Sequence, residues 1–98
     1  MSEKPPAGHF RILYFASAAS FTRKSSDDFS APLPIADLFG VIDRKYPGIR
    51  AAVLLSAAVT VNLDYVDIEE DGETSEDIKG ILINGGDEVA IIPPVSSG

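Results

Sequence analysis

Cysteine and tryptophan are absent from this sequence of 98 residues, and histidine occurs once, as His9. The lack of cysteine excludes disulfides, thiolate nucleophiles and cysteine-bound zinc. Positive charge is also scarce, because 8 Lys and Arg face 15 Asp and Glu and leave a formal net charge of −7 at pH 7. Nucleic acids and anionic membranes are bound through basic surfaces, so we expect neither as a partner.

Long hydrophobic runs are missing as well. No stretch approaches the roughly 18 apolar residues of a membrane span, and residues 1–9 lack the apolar core of a signal peptide. We therefore expect a cytoplasmic protein of one domain, and a hydrophobic share of 45% is enough for a folded core. We expect a disordered lead-in at residues 1–9, a folded domain at residues 10–94 and a flexible tail at residues 95–98.

Hydrophobic periodicity predicts a strand over residues 10–16, with apolar side chains on both of its faces. One face carries Phe10, Ile12 and Tyr14, and the other carries Arg11, Leu13 and Phe15. A strand of this kind either lies in the middle of the fold or exposes an apolar patch to a partner.

The rest of the domain is predicted to be an α+β arrangement, with one main helix packed across a mixed sheet. Apolar residues at spacings of three and four predict that helix over residues 34–46. The other predicted elements are a helical turn at residues 17–22, a loop or short edge strand at 23–34, a helical turn at 49–57, a single strand at 59–66, a short segment at 81–83 and a last strand at 88–92.

Ordinary catalytic groups are in short supply. His9 falls in the expected lead-in, so a Ser-His-Asp relay is not supported. The pair Gly85-Gly86 lacks the lysine and the following helix of a phosphate-binding loop, and therefore predicts a hairpin turn. The carboxylates are concentrated in one stretch, residues 67–79, which favours a solvated loop.

The acidic stretch also resembles part of a calcium-binding loop. Asp67, Glu69, Asp71 and Gly72 occupy the first, third, fifth and sixth positions of that pattern. The twelfth position falls on Ile78, where the pattern requires a bidentate Glu. A flexible loop is therefore the main interpretation of this stretch, and calcium binding is the alternative.

The C-terminus is unusual because residues 89–98 carry no charged side chain in a chain that is 23% charged. Pro93-Pro94 stops the last strand, since proline cannot donate to a sheet ladder. Small residues then lead to Gly98, which has no Cβ to obstruct attack on its carbonyl carbon. This segment is either a slim arm that carries a reactive carboxylate or a frayed chain end.

Residues 86–96, Gly-Asp-Glu-Val-Ala-Ile-Ile-Pro-Pro-Val-Ser, resemble the closing motif of the sulfur-carrying small subunits of molybdopterin synthase, the MoaD-like family. Residues 11–16 resemble the opening strand of that family, and Val61-Asn62 fits its middle strand. The resemblance covers residues 10–98 and implies a β-grasp fold, as in ubiquitin.

The resemblance also implies a mechanism for molybdenum cofactor biosynthesis. A ubiquitin-activating-like adenylyltransferase and sulfurtransferase, using ATP and Mg²⁺, would adenylate Gly98, which would then become a thiocarboxylate. The tail would enter the large synthase subunit and donate sulfur to a cyclic pterin precursor. The catalytic side chains would lie on that subunit in a heterotetramer, and this chain would bind no cofactor tightly.

The same resemblance assigns roles to particular positions of this sequence. The inserted tail would comprise Pro93, Pro94, Val95, Ser96 and Ser97 ahead of Gly98. Phe15, Tyr65 and Ile92 match positions that contact the large subunit, and the alternative is that all three are core residues. The family normally ends in Gly-Gly, so Ser97 is a departure that adds a Cβ and a hydroxyl behind the reacting carbonyl.

Two other functions fit the same fold. One is a ubiquitin-like protein modifier or sulfur carrier for tRNA thiolation, which would share the activation step and the terminal glycine. The other is a plain β-grasp adaptor without chemistry at its terminus.

Overall fold

The structure is a computed structural model that describes residues 5–66 and 80–95. Its strands are His9–Tyr14 (β1), Ser26–Ser30 (β2), Leu33–Pro34 (β3), Ala58–Val61 (β4), Asp64–Val66 (β5), Leu82–Ile83 (β6) and Glu88–Ile92 (β7). Its helices are Ser17–Thr22 (α1), Leu38–Lys45 (α2) and Ile49–Ala52 (α3), with 3₁₀ turns at Ile35–Asp37 and Leu54–Ser56. No helix among these described residues is long and apolar enough to cross a membrane.

Five strands form the main sheet, in the order β2-β1-β7-β4-β5. β1 runs parallel to β7, and the other three pairings are antiparallel. The last strand of the chain therefore lies in the centre of the sheet. β3 and β6 form a separate two-stranded sheet. The predicted α+β arrangement with a mixed sheet and a helix across it is confirmed.

The alternation in β1 divides its side chains as predicted. Phe10, Ile12 and Tyr14 are buried against the helical layer, whereas Arg11 and Leu13 lie on the opposite face and are half-buried. β1 begins at His9, a residue that the sequence assigned to the lead-in. The His9 N–H donates to the carbonyl of Pro6 (3.0 Å), which anchors the strand at its start.

The core lies between this inner face of the sheet and the helices. Its buried apolar residues are at most 4% exposed, and burial of each large side chain contributes roughly 1.5–3 kcal/mol. The sheet supplies Phe10, Ile12, Tyr14, Val59, Val89 and Ile91, and the helical segments supply Ile35, Leu38, Phe39, Ile42, Ile49, Val53 and Leu54.

The predicted main helix is present, but its first turn is a 3₁₀ turn. Pro34 precedes that turn with an extended backbone, and α2 begins at Leu38. The helical layer bends after α2 because Pro47 follows it and Gly48 adopts a left-handed φ of 96°. The predicted turns at residues 17–22 and 49–57 correspond to α1 and to α3 with its following 3₁₀ turn.

The single strand predicted over residues 59–66 is wrong. It is a hairpin, in which β4 and β5 are joined by Asn62 and Leu63 at φ values of 51° and 75°. Left-handed conformations at both central residues define the tight turn whose twist matches that of paired strands. The alternation of apolar residues continues through this turn, so the sequence pattern does not show where β4 ends and β5 begins.

The turn predicted at Gly85-Gly86 is present, with the Asp87 N–H donating to the Asn84 carbonyl (3.0 Å). It is not a hairpin turn, however, because it connects β6 to β7, which belong to different sheets. Gly85 packs against the backbone of Gly8, since a Cβ on Gly85 would lie 3.7 Å from the Cα of Gly8. The turn therefore lies against the residues that lead into β1.

Candidate functional site

The outer face of the main sheet, opposite the core, collects apolar side chains from β1, β5 and β7 and from the β4–β5 turn. In the pairing register, Leu13 lies beside Ala90, Ala90 beside Thr60, and Thr60 beside Tyr65. Side chains at paired positions of neighbouring strands project from the same face. We use the name outer patch for six residues on this face: Leu13, Phe15, Leu63, Tyr65, Ala90 and Ile92.

The three residues assigned to a partner interface all belong to the outer patch. Phe15 is 46% exposed and Tyr65 is 75% exposed, whereas Ile92 is half-buried. Their chain neighbours Tyr14 and Ile91 point the other way, into the core. The alternative that all three are core residues is therefore wrong for Phe15 and Tyr65.

Two open grooves follow this face. One, of about 230 Å³, is lined by the outer patch together with Thr60 and Glu88. The other, of about 490 Å³, which we call the exit groove, lies at the end of β7. It is lined by Phe15, Ala16, Ile92, Pro93 and Val95.

The chain leaves the sheet through the exit groove. Pro93 is buried at its wall, while Pro94 is exposed and Val95 is 78% exposed. A buried proline directly after β7 fixes the direction of the chain, because its ring restricts φ and it cannot extend the ladder. Ser96, Ser97 and Gly98, the remaining predicted tail residues, lie outside the described residues, as does the acidic stretch 67–79 with its calcium-loop pattern.

A polar network holds the β4–β5 turn against the start of β7. The Asn62 side-chain amide donates to Asp87 (3.0 Å), and its carbonyl oxygen accepts from the Glu88 N–H (3.0 Å). The other carboxylate oxygen of Asp87 accepts from the Asn84 N–H (2.7 Å). Asn62 therefore fixes the position of the hairpin tip relative to the central strand, which explains the Val61-Asn62 pair singled out in the sequence.

Two residues that line the grooves have backbone conformations that L-residues avoid. Ala16, in the exit groove, has φ 50° and ψ −126°, and Leu63, in the outer patch, has φ 75°. Each such position costs on the order of 1–3 kcal/mol. Neither strained position was predicted from the sequence, because neither residue is a glycine or an asparagine.

A second polar centre lies on the inner side of the sheet, around the buried carboxylate of Asp27. It accepts hydrogen bonds from the hydroxyls of Tyr14 (3.0 Å) and Tyr46, and from the ammonium groups of Lys45 (3.0 Å) and Lys24 (3.3 Å). Burial by itself raises the pKa of Asp27, but these hydrogen bonds outweigh it and leave that pKa below its ordinary value.

The tyrosines of this centre shift in the opposite direction. Burial and the neighbouring Asp27 carboxylate raise the pKa of Tyr14, and they raise the pKa of Tyr46 to about 12. A carboxylate that is already saturated with donors is a poor general base, and tyrosines with raised pKa values are poor acids near neutrality. The centre therefore joins β1, β2 and the end of α2 as a structural element.

On its β2 side, the outer face carries an ion pair. The Arg11 guanidinium donates twice to Asp28 (2.8 and 3.2 Å), and these hydrogen bonds hold the pKa of the Asp28 carboxyl below its usual range. This ion pair is partly open to solvent, so it contributes little to stability, about 0–1 kcal/mol. It marks the polar border of the outer patch.

Within residues 5–66 and 80–95, no group of three or more His, Cys, Asp or Glu side chains is placed to hold a metal ion. What these residues offer is an exposed apolar face beside the exposed Pro94 and Val95. A sheet of this order with a helix across it, and with its central last strand running into such an arm, defines the ubiquitin-like β-grasp class of proteins.

Comparisons with known proteins agree with this class. The model of the ThiS family matches residues 12–98. The molybdopterin synthase sulfur carrier subunit of Phaeosphaeria nodorum is 55% identical over 97 residues, covering 99% of this chain and 98% of the relative. That of Pyrenophora tritici-repentis is 56% identical over 96 residues, covering 97% and 96%. The chain therefore belongs to the ThiS family, among the molybdopterin synthase sulfur carrier subunits.

Solved structures extend the likeness of the fold. The small archaeal modifier protein 1 of Methanosarcina acetivorans has a TM-score of 0.68 at 17% identity, covering 96% of this chain and all of that one. A complex of subunits 1 and 2 of the molybdopterin-converting factor from Helicobacter pylori includes a chain with a TM-score of 0.53 at 17% identity, covering 92% and 99%. The expected β-grasp fold is confirmed.

Proposed function

We propose that this chain carries sulfur for molybdopterin synthase on its C-terminal Gly98 and docks on the large subunit through the outer patch. The observation that carries this proposal is the position of the outer patch. It adjoins Pro93 and Val95, through which the chain runs on to Gly98. A partner that covers the patch is thereby placed to receive the chain end. The relatives above 50% identity, which carry the name of this carrier, support the same function.

The proposed chemistry starts with activation of the Gly98 carboxylate, whose oxygen is a poor leaving group until it is joined to AMP. An activating enzyme joins a carboxylate oxygen of Gly98 to the α-phosphate of ATP, with Mg²⁺ as counter-ion, and pyrophosphate leaves. Hydrosulfide then forms a C–S bond at the glycine carbonyl carbon while the C–O bond to AMP breaks and the sulfur loses its proton. The products are AMP and a thiocarboxylate on this chain.

Transfer to the acceptor would take place inside the large subunit. The thiocarboxylate sulfur would form a C–S bond to a carbon of the cyclic pterin precursor while a C–O bond at that carbon breaks and its oxygen group leaves. Water would then cleave the C–S bond to the glycine, which leaves a thiol on the pterin and regenerates the carboxylate. The Asp27 centre is a structural element and the two grooves are mostly apolar, which supports a mechanism in which the partners supply the catalytic side chains. The Helicobacter pylori complex of subunits 1 and 2 supports a pairing of this kind.

The carrier function would place no demand on a metal or cofactor bound to this chain, and ATP and Mg²⁺ would be used on the activating enzyme. We propose the cytosol as its compartment and a heterotetramer with two large subunits as its assembly. Ser97, in place of the usual glycine, would require the channel that receives the arm to accommodate a Cβ and a hydroxyl.

Deletion of Gly98 tests the carrier function. We expect the shortened chain to fold and to bind the large subunit with unchanged affinity, but to yield no molybdopterin in a reconstituted synthase. The reason is that the reacting carbonyl would then belong to Ser97, one residue short of the required reach. Ser97→Gly is the matched control, since it keeps the chain length and should retain full product yield.

The intact mass of each chain separates activation from transfer. After incubation with the activating enzyme, ATP and a sulfur donor, the full-length chain should gain the mass difference between one sulfur and one oxygen. Full product yield from the chain without Gly98 would refute the proposal. Conjugates to lysine side chains of other proteins, without binding to the large subunit, would favour the modifier function instead.

A further inference from the structure

Leu63 combines two features that the fold does not explain. Its side chain is 85% exposed, so it contributes almost nothing to the core. Its backbone has φ 75° at the second central position of the β4–β5 turn, where glycine is the residue that fits without strain. A polar residue or glycine would be expected at such a hairpin tip on grounds of stability and solubility.

The surroundings of Leu63 indicate what its side chain contacts. It lines the same groove as Phe15, Tyr65 and Ile92, and so extends the apolar surface from the centre of the sheet to the tip of the hairpin. Strained backbone positions persist where the surrounding structure enforces them, and they are concentrated at functional sites. The hydrogen bonds of Asn62 to Asp87 and Glu88 hold this tip in place.

We propose that Leu63 is an anchor residue for the large synthase subunit, inserted into an apolar depression of that partner when it covers the outer patch. This inference rests on the proposed function and extends it to a residue outside the Phe15, Tyr65 and Ile92 set. The large subunit is the occupant because the patch continues into Pro93 and Val95, beside the path of the chain to Gly98. The fixed turn presents the leucine in one orientation, which limits the conformational entropy lost on binding.

Two variants at this position separate binding from folding. Leu63→Ala removes most of the side chain and keeps the strain, whereas Leu63→Gly removes the side chain and relieves the strain. We expect both to weaken binding to the large subunit by about fivefold or more in a calorimetric titration, as for a truncated interface anchor. The thermal midpoint of Leu63→Gly should equal or exceed that of the wild type.

A matched control and a rescue variant complete the test. Leu55→Ala truncates another exposed leucine, in the 3₁₀ turn outside both grooves, and should leave affinity unchanged. Leu63→Met keeps a long apolar side chain and should restore affinity to within about twofold of the wild type, since Leu and Met exchange readily at apolar contacts.

The outcomes distinguish this inference from the proposed function. If the wild-type chain does not bind the large subunit, the proposed function itself is wrong. If the wild type binds and Tyr65→Ala weakens binding, while Leu63→Ala and Leu63→Gly bind as the wild type does, only the role of Leu63 is refuted. A midpoint for Leu63→Gly well below that of the wild type would show that the leucine serves the fold, and would also overturn the inference.

Discussion

The two faces of the five-stranded sheet are both apolar, yet they differ in what covers them. On the inner face, Ile12, Val89 and Ile91 are completely buried by the helical layer. On the outer face, the large aromatic side chains of Phe15 and Tyr65 remain exposed. An apolar side chain contributes to folding only when the chain itself removes it from water. The inner face therefore determines stability, and the outer face is available for a partner.

The largest effect is expected from Ile91→Ala, at the centre of the inner face. It leaves a cavity under the central strand, so the free energy of unfolding should fall by about 2–5 kcal/mol in denaturant titrations. Affinity of the remaining folded fraction for the large subunit should not change. A loss under 1 kcal/mol would mean that the inner face does not carry the stability of the fold.

A smaller effect is expected from Asp27→Asn, which tests the polar side of the core. The amide accepts from the tyrosines, but it loses the charge-assisted bonds from Lys24 and Lys45, so stability should fall by about 2–3 kcal/mol at pH 7. The effect should depend on pH, because the pKa of Asp27 in the folded chain lies below the ordinary value of 3.8.

The sign of this dependence follows from linkage. A carboxyl with a lowered folded pKa stabilises the fold above its unfolded pKa, and this contribution is lost as pH falls from about 4 through the folded pKa. Tyr14 and Tyr46 have raised pKa values and keep their protons in this range. The difference in unfolding free energy between wild type and Asp27→Asn should therefore shrink on acidification, and a constant difference would contradict the assignment.

The smallest effect on stability, and the clearest on binding, is expected from Phe15→Ala and Ile92→Ala. Each should weaken binding to the large subunit several-fold, at a cost of about 1 kcal/mol or more, and should reduce the stability of the isolated chain by less. Calorimetric titration and thermal unfolding measure the two quantities. Unchanged affinity would remove these residues from the interface and leave the outer face without its assigned partner.

The sequence was sufficient to predict the elements whose periodicity is local. The alternation in β1 correctly assigned Phe10, Ile12 and Tyr14 to the core, and the three- and four-residue spacing located the main helix. β2 could be anticipated only as a loop or short edge strand, because Ser26–Ser30 is mostly polar and depends on pairing with β1 for its structure.

The features that escaped prediction depend on contacts between distant parts of the chain. The β4–β5 turn was hidden because Leu63 continues the apolar alternation and no glycine follows Asn62. The buried Asp27 centre gathers Tyr14, Lys24, Lys45 and Tyr46, which periodicity does not connect. The residues of the proposed interface were assigned through the family resemblance. Alternation divides a strand into two faces, but which face stays exposed depends on the order of the strands and on the helices that cover the sheet.

β7 is the last strand to be synthesised and also the central strand of the sheet, so the sheet cannot be completed until the chain is almost finished. Among the described residues, the β1–β2 and β4–β5 pairs are joined into one sheet only through this last strand. While a nascent chain lacks Glu88–Ile92, no strand connects the two pairs, and the sheet that covers the core is incomplete. A polypeptide cut short before this point cannot complete its sheet, so a chain that folds stably also carries the residues that lead to the C-terminal arm.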